Sequence, residues 1–86
     1  MSDPAVVMYT TGWCPYCERA RKLLAVKNVP FDEINVESQP EKRAEMHNRS
    51  GRRTVPQIFI GDQHVGGCDD LHALEDAGKL DGLLGR

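Results

Sequence analysis

The start of the chain does most to limit its fold, because it reads as a strand, a tight loop and a helix, followed by a second strand. Ala5-Val6-Val7-Met8-Tyr9-Thr10 is a compact apolar run rich in β-formers, the pattern of a strand buried on both faces. Thr11-Gly12-Trp13 forms a short loop. Pro15 has no N–H to donate and a φ suited to a first helical turn. A helix is therefore expected from Cys14–Pro15 to about Lys27, with Cys17, Ala20, Leu23 and Leu24 facing inward. Asn28-Val29-Pro30 ends it, and Phe31 to Val36 alternates apolar and polar like a half-buried strand. Two strands joined through one helix must lie parallel, with a right-handed crossover.

The remainder completes a small mixed sheet. Ser38-Gln39-Pro40-Glu41 has the spacing of a capping box and opens a second helix that runs to about Ser50, where Gly51 is the stop signal. Its apolar content is thin, only Ala44 and Met46, so a largely solvated helix is expected. Thr54-Val55-Pro56 leads into a strand at Gln57-Ile58-Phe59-Ile60, and Gly61-Asp62 turns it into Gln63-His64-Val65. After Gly66-Gly67, Asp69-Asp70 begin a third helix with Leu71, Leu74 and Ala77 on one face. Leu80, Leu83 and Leu84 form a last apolar turn or short helix. The expected order is β-α-β-α-β-β-α, an α/β fold with a four-stranded mixed sheet flanked by helices and residues 1–86 as one domain. A chain of 86 residues is too short for two independent cores.

Composition narrows the function. Eleven basic against 13 acidic side chains give a net charge of −2, which argues against a nucleic-acid binder. The longest apolar run, Ala5 to Tyr9, is far short of a membrane span. Asp3 stands where a secretory leader carries basic residues. A cytoplasmic protein is expected, in a compartment that keeps thiols reduced. There, an odd set of 3 cysteines, two of them as C-x-x-C, reads as redox or metal chemistry instead of a disulfide framework.

The chemistry centres on Cys14-Pro15-Tyr16-Cys17 at the strand-to-helix junction. Unpaired N–H groups and the positive end of the helix dipole stabilise a thiolate there, and the thiolate is the nucleophile of disulfide exchange. Cys14 sits at the exposed tip, with Cys17 one turn along on the same face, so Cys14 attacks and Cys17 resolves. Arg19, Arg21 and Lys22 lie early in this helix, where cations oppose the dipole. They either favour the Cys14 thiolate or form a solvated basic face, and Glu18 acts in the opposite direction. Zinc is the competing reading, since Cys68 and His72 could complete a four-ligand set with Cys14 and Cys17. Against it, Cys17 continues into a long helix, and His47, His64 and His72 are scattered over surface segments.

Trp13-Cys14-Pro15-Tyr16-Cys17 after a strand, then Thr54-Val55-Pro56-Gln57-Ile58-Phe59-Ile60, then Gly66-Gly67-Cys68-Asp69-Asp70 at a helix start closely resemble a dithiol glutaredoxin. The likeness spans about Val6 to Leu84 and implies a thioredoxin-like fold. It also implies a cis Pro56, and Thr54, Val55 and Pro56 lining a glutathione site, where the Val55 backbone pairs with the cysteinyl unit of glutathione. Gly66 and Gly67 would allow close approach, Cys68 and Asp69 N–H groups would hold the γ-glutamyl carboxylate, Asp69 the α-amino group, and Tyr16 would line the groove. Out of this context, Thr54-Val55-Pro56 is an ordinary strand entry and Asp69 an ordinary cap. Cys68 is read as a small buried residue or backbone contact. Trp13 is either a lip for protein substrates or a cover for the first helix. One departure stands out. Thr11 occupies the place where many glutaredoxins carry a lysine for the glycyl carboxylate. The resemblance implies that Arg43, which matches another family position contacting that carboxylate, takes the role with Arg52 and Arg53 nearby in sequence.

The resemblance implies a monomeric glutathione–disulfide oxidoreductase acting through Cys14 and Cys17. Its expected partners are glutathione, glutathionylated proteins and disulfide substrates, with no metal, no nucleic acid and no membrane. Two other readings keep the fold. In one, thioredoxin reductase replaces glutathione as electron donor. In the other, the protein carries a metal or an iron–sulfur cluster, which Pro15 after the first cysteine disfavours.

Overall fold

A computed structural model describes residues 4–85; Asp3, invoked above against a leader, lies outside them. Four strands, β1 (Val6–Thr10), β2 (Asp32–Asn35), β3 (Gln57–Ile60) and β4 (Gln63–Gly66), form one sheet in the order β2-β1-β3-β4. β1 pairs parallel with β2, and antiparallel pairing joins β1 to β3 and β3 to β4. The helices are α1 (Pro15–Val26), α2 (Pro40–Ser50), α3 (Cys68–Asp76) and α4 (Leu80–Leu83).

Strand alternation divides the core into two layers. Val6, Met8, Ile58 and Ile60 meet Ala20 and Leu24 of α1, Leu71 of α3, and Leu80 and Leu84 at the end of the chain. On the other face Tyr9 and Phe59 pack with Val36 and with Met46 of α2. The expectation of a strand buried on both faces is met, since of β1 only Val7 is half-buried. Of the face assigned to α1, Cys17, Ala20 and Leu24 are buried and Leu23 half-buried.

α2 contributes one fully buried apolar side chain, Met46, so polar contacts fasten it to the sheet. The Tyr9 hydroxyl donates to Glu45 Oε2 at 2.5 Å and accepts from Arg49 Nη1 at 2.9 Å. The Arg49 guanidinium also lies 4.1 Å from the centre of the Phe59 ring, a cation–π contact.

Four local expectations are corrected. The capping box at Ser38 does not form: Gln39 is the N-cap, and the Ser38 hydroxyl donates back to the Asn35 carbonyl. Asn35 Oδ1 accepts the N–H groups of Glu37 and Ser38, turning the chain sharply. That turn cuts β2 to Asp32–Asn35, although the Val36 N–H still donates to the Thr10 carbonyl at 2.8 Å. α3 starts at Cys68, one residue before the aspartates, because Asp70 Oδ2 accepts the Gly67 N–H and makes Gly67 the cap. Ala77 is the exposed C-cap of α3 and adds nothing to its buried face, because the chain breaks at Gly78 (φ 72°) to bring Leu80 under the core.

Leu24→Ala should lower stability by about 2–4 kcal/mol, as expected for a large-to-small change at a fully packed site. Urea unfolding followed by circular dichroism would measure it, with the exposed Ala44→Ser as a control that shifts the midpoint little.

Candidate active site

β1 ends at Thr10, and residues 11–13 carry the chain from the end of this interior strand into α1. Cys14 is the N-cap, with extended backbone (φ −158°), and its carbonyl accepts the Glu18 N–H at 3.1 Å to close the first turn. No side chain caps this helix end, so its free N–H groups are left for the cysteine sulfur. Cys14 is half-buried, Cys17 fully buried, and all three cysteines are free thiols.

The two thiols of the motif are driven apart in acidity. Partial burial opposes ionisation of Cys14. It is outweighed by hydrogen bonds from the Cys17 backbone and thiol and the Tyr16 backbone, with the Arg21 charge adding to them, and the pKa falls below that of an ordinary thiol. Burial pushes the Cys17 thiol up to about 11, and its hydrogen bond to Cys14 adds to this, while the Thr11 backbone and Arg21 pull the other way. Of the two, Cys14 is therefore the more readily ionised and Cys17 the one that holds its proton.

Of the three cations at the start of α1, only Arg21 acts on both thiols. Arg19 bears on Cys68, and Lys22 is exposed. Trp13 is 84% exposed and covers nothing, which removes the reading of it as a lid on the first helix.

A groove of about 200 Å³ opens next to the motif. Tyr16, Thr54, Val55, Pro56, Gly67, Cys68 and Asp69, all singled out from the sequence, line it together. The Val55–Pro56 peptide is cis. A Cβ on Gly66 (φ +116°) would run into the Asp70 carboxylate, while one on Gly67 would come into van der Waals contact with the Pro56 carbonyl at 3.4 Å. Cys68 is buried, and burial raises its pKa.

Arg43 is the exception. It lies in a separate cleft of about 470 Å³, with Pro40, Ala44, His47 and Arg53. Two groove residues carried little weight in the sequence reading. Arg52 Nη1 donates to Asp70 Oδ2 at 3.0 Å, and the same oxygen accepts the Gly67 N–H at 2.9 Å. These two bonds, the Gly67 one first, hold the Asp70 carboxyl below its usual range. The spacing Gly67-x-x-Asp70 was the available signal, hidden because a glycine cap lacks the side chain of a full capping box.

The zinc set is not assembled. Cys68 Sγ lies 3.4 Å from His72 Nδ1, but that nitrogen is also 2.9 Å from the Cys68 carbonyl, as in a helix-internal hydrogen bond. Among the described residues no group of three or more His, Cys, Asp or Glu side chains is placed to hold a metal ion.

Comparison with known proteins agrees with this geometry. The glutaredoxin family model matches residues 6–65. The chain belongs to the glutaredoxin family. A glutaredoxin of Pseudomonas aeruginosa is 64% identical over 81 residues, covering 94% of this chain and 96% of that protein. The solution structure of glutaredoxin from Brucella melitensis superposes with a TM-score of 0.85 at 62% identity, covering 98% of this chain and 91% of that one. A buckwheat glutaredoxin, solved as a glutathione complex, gives a TM-score of 0.86 at 32% identity, over 95% of this chain and 76% of that one. Glutaredoxin membership makes the chain a thiol–disulfide oxidoreductase with a thioredoxin-like fold, as its motif implied.

The acidity of Cys14 should be directly visible. Its alkylation by iodoacetamide should rise through a midpoint below the ordinary thiol value of about 8.5. Cys17→Ala, which removes the thiol donor, should move that midpoint upward, as followed by mass spectrometry of the alkylated peptide across pH.

Proposed function

We propose that this glutaredoxin reduces protein–glutathione mixed disulfides and protein disulfides at the expense of glutathione. The carrying observation is a preformed groove, lined by Val55, Gly67, Cys68 and Asp69, beside a cysteine whose acidity is raised by its helix-end hydrogen bonds. In this reading Cys14 attacks the glutathione sulfur of a mixed disulfide, a new S–S bond forms, and the protein thiolate leaves. A second glutathione then attacks at Cys14, releasing glutathione disulfide and restoring the thiolate. Glutathione reductase and NADPH complete the electron supply. With a protein disulfide as substrate, Cys17 displaces the bound substrate thiol.

Each part of the tripeptide has a matching group. The Val55 backbone, half-buried before Pro56, offers strand-like pairing to the cysteinyl unit. The free N–H groups of Cys68 and Asp69 open α3, a helix of 9 residues, and suit the γ-glutamyl carboxylate. The Asp69 carboxylate suits the α-amino group. Thr11 brings no charge for the glycyl carboxylate. Arg43 and Arg53 line the separate cleft, Arg53 directly precedes Thr54 of the groove along the chain, and we assign that carboxylate to them. That the neighbour from buckwheat was solved with glutathione supports the same ligand class here. We further take residues 1–86 to act as a single, monomeric cytoplasmic domain. Among the described residues no helix is long and apolar enough to cross a membrane.

Glutathione-coupled turnover of a glutathionylated peptide tests this. Wild type and Cys17→Ser should turn over, and Cys14→Ser should be inactive; a folded wild type with no glutathione-dependent turnover would refute the reading. The double variant Arg43→Ala, Arg53→Ala should raise KM for the glutathionylated substrate by about tenfold, the scale of one charge-assisted contact.

A further inference from the structure

Of the cations Arg19, Arg21 and Lys22 at the start of α1, Arg21 is held in place by a partner on the sheet. Its Nε donates to Glu33 Oε1 at 2.8 Å and its Nη2 to Glu33 Oε2 at 2.6 Å, a two-point clamp between α1 and β2. The fully buried Thr10 adds a third point, its hydroxyl donating to Glu33 Oε2 at 2.9 Å. Both charged side chains are largely covered, 27% and 34% exposed. This is not the solvated basic face that a surface arginine early in a helix would present.

The clamp has a direction. Arg21 follows Cys17 by one helical turn and Cys14 by two, so Cys17 is its nearer neighbour along the helix face. The interaction is mutual, since a Cys17 charge acts back on Arg21. Thr10, the third anchor, directly precedes Thr11, whose backbone bonds Cys17. The other charged or titratable groups here are Glu18, 3.8 Å from Arg21 Nη1, Glu33 itself, and Cys68 of α3, which faces Cys14.

We propose that Arg21, locked by Glu33 and Thr10, is a positioning residue for the resolving step, stabilising the Cys17 thiolate as it displaces substrate from Cys14. In the resting pair Cys14 is the more acidic thiol, and both its hydrogen bond and its charge when ionised suppress ionisation of Cys17. Once Cys14 is in a mixed disulfide, those two influences vanish while the Thr11 backbone and Arg21 remain. The Cys17 thiol then gives its proton to solvent and its thiolate attacks the Cys14 sulfur. The Cys14–Cys17 bond forms, the bond from Cys14 to the substrate sulfur breaks, and the substrate leaves as thiolate with the electron pair. Two protein thiols are oxidised and one substrate disulfide is reduced. The inference rests on the assigned roles of Cys14 and Cys17 but not on glutathione as ligand.

A symmetrical bis(nitrobenzoate) disulfide separates the two steps, because each expels one coloured thiolate. In stopped flow, the reduced protein should show a first phase from Cys14 attack and a second from Cys17 resolution. Arg21→Gln should slow the second phase at neutral pH by roughly three- to tenfold and move its pH profile upward, with a smaller effect on the first. Arg21→Lys should keep the second phase within about threefold of wild type, because the charge is retained. Should Arg21→Gln fail to fold, Arg21→Met, which keeps an unbranched apolar stem, carries the same expectation. A second phase unchanged in rate and pH profile, equal slowing of both phases, or no second phase in the wild type would each overturn the proposal. Cys17→Ser confirms the assignment by abolishing the second phase alone. Since this reagent contains no glutathione, failure of the glutathione assay and failure of this one are separate results.

Discussion

The rest of the molecule depends on the burial of β1 on both faces. Among the described residues it is the only strand that carries a parallel and an antiparallel neighbour, and its alternating side chains seed both core layers. Because β1 is held by backbone bonds on both sides, the place where it ends is fixed, and the Cys14 loop starts from that place. A thiolate at a helix N-terminus is useful only if the helix is anchored. Ala20 and Leu24 do this by packing against β1 and β3. The reactive end is thus the exposed tip of a buried element, which lets partial burial and free N–H groups act on one sulfur.

Two kinds of restraint surround that sulfur. Local ones come from the helix itself: Cys14 as N-cap, Pro15 at the first helical position and Cys17 one turn on. Distant ones come from the sheet, with Glu33 of β2 gripping Arg21 and Thr10 of β1 gripping Glu33. The acidity difference between the two thiols follows from both together. Desolvation separates a half-buried sulfur from a buried one, and hydrogen bonding then assigns the proton to the buried partner. The groove is built in the same manner, from a cis X–Pro junction before β3 and a helix start after β4, elements brought side by side by the β3–β4 hairpin. Arg52 and Asp70 close its rim with an ion pair exposed enough to exchange partners.

The sequence reading succeeded where the signal lay within a turn or a strand. β1, the start of α1 at Pro15, the stop at Gly51 and the Gly61 hairpin are each set by residues within a few positions. It failed at the capping box because Ser38 had a competing acceptor three residues back, in the Asn35 turn, which helix spacing does not reveal. It failed at Ala77 because helical periodicity assumes that the helix continues, and Gly78 ends it. Arg43 was grouped with the groove by resemblance, yet the exposed face of α2 carries it into a neighbouring cleft.

The sequence by itself determined the order of strands and helices, the placing of two cysteines at a helix start, and the residues that line the groove. The first two outcomes rest on backbone propensity and side-chain periodicity, the third on the resemblance of three ordered motifs to a family. Only the tertiary structure decided which charges meet. Tyr9 reaches Glu45 across 36 positions, Arg21 reaches Glu33 across 12, and Arg52 reaches Asp70 across 18. Nothing local distinguishes these arginines and glutamates from others in a chain with 11 basic and 13 acidic residues. Their pairing follows from strand register and helix placement, which set the separation of the charges. Separation and burial, not residue type, decide what a charge does to a thiol.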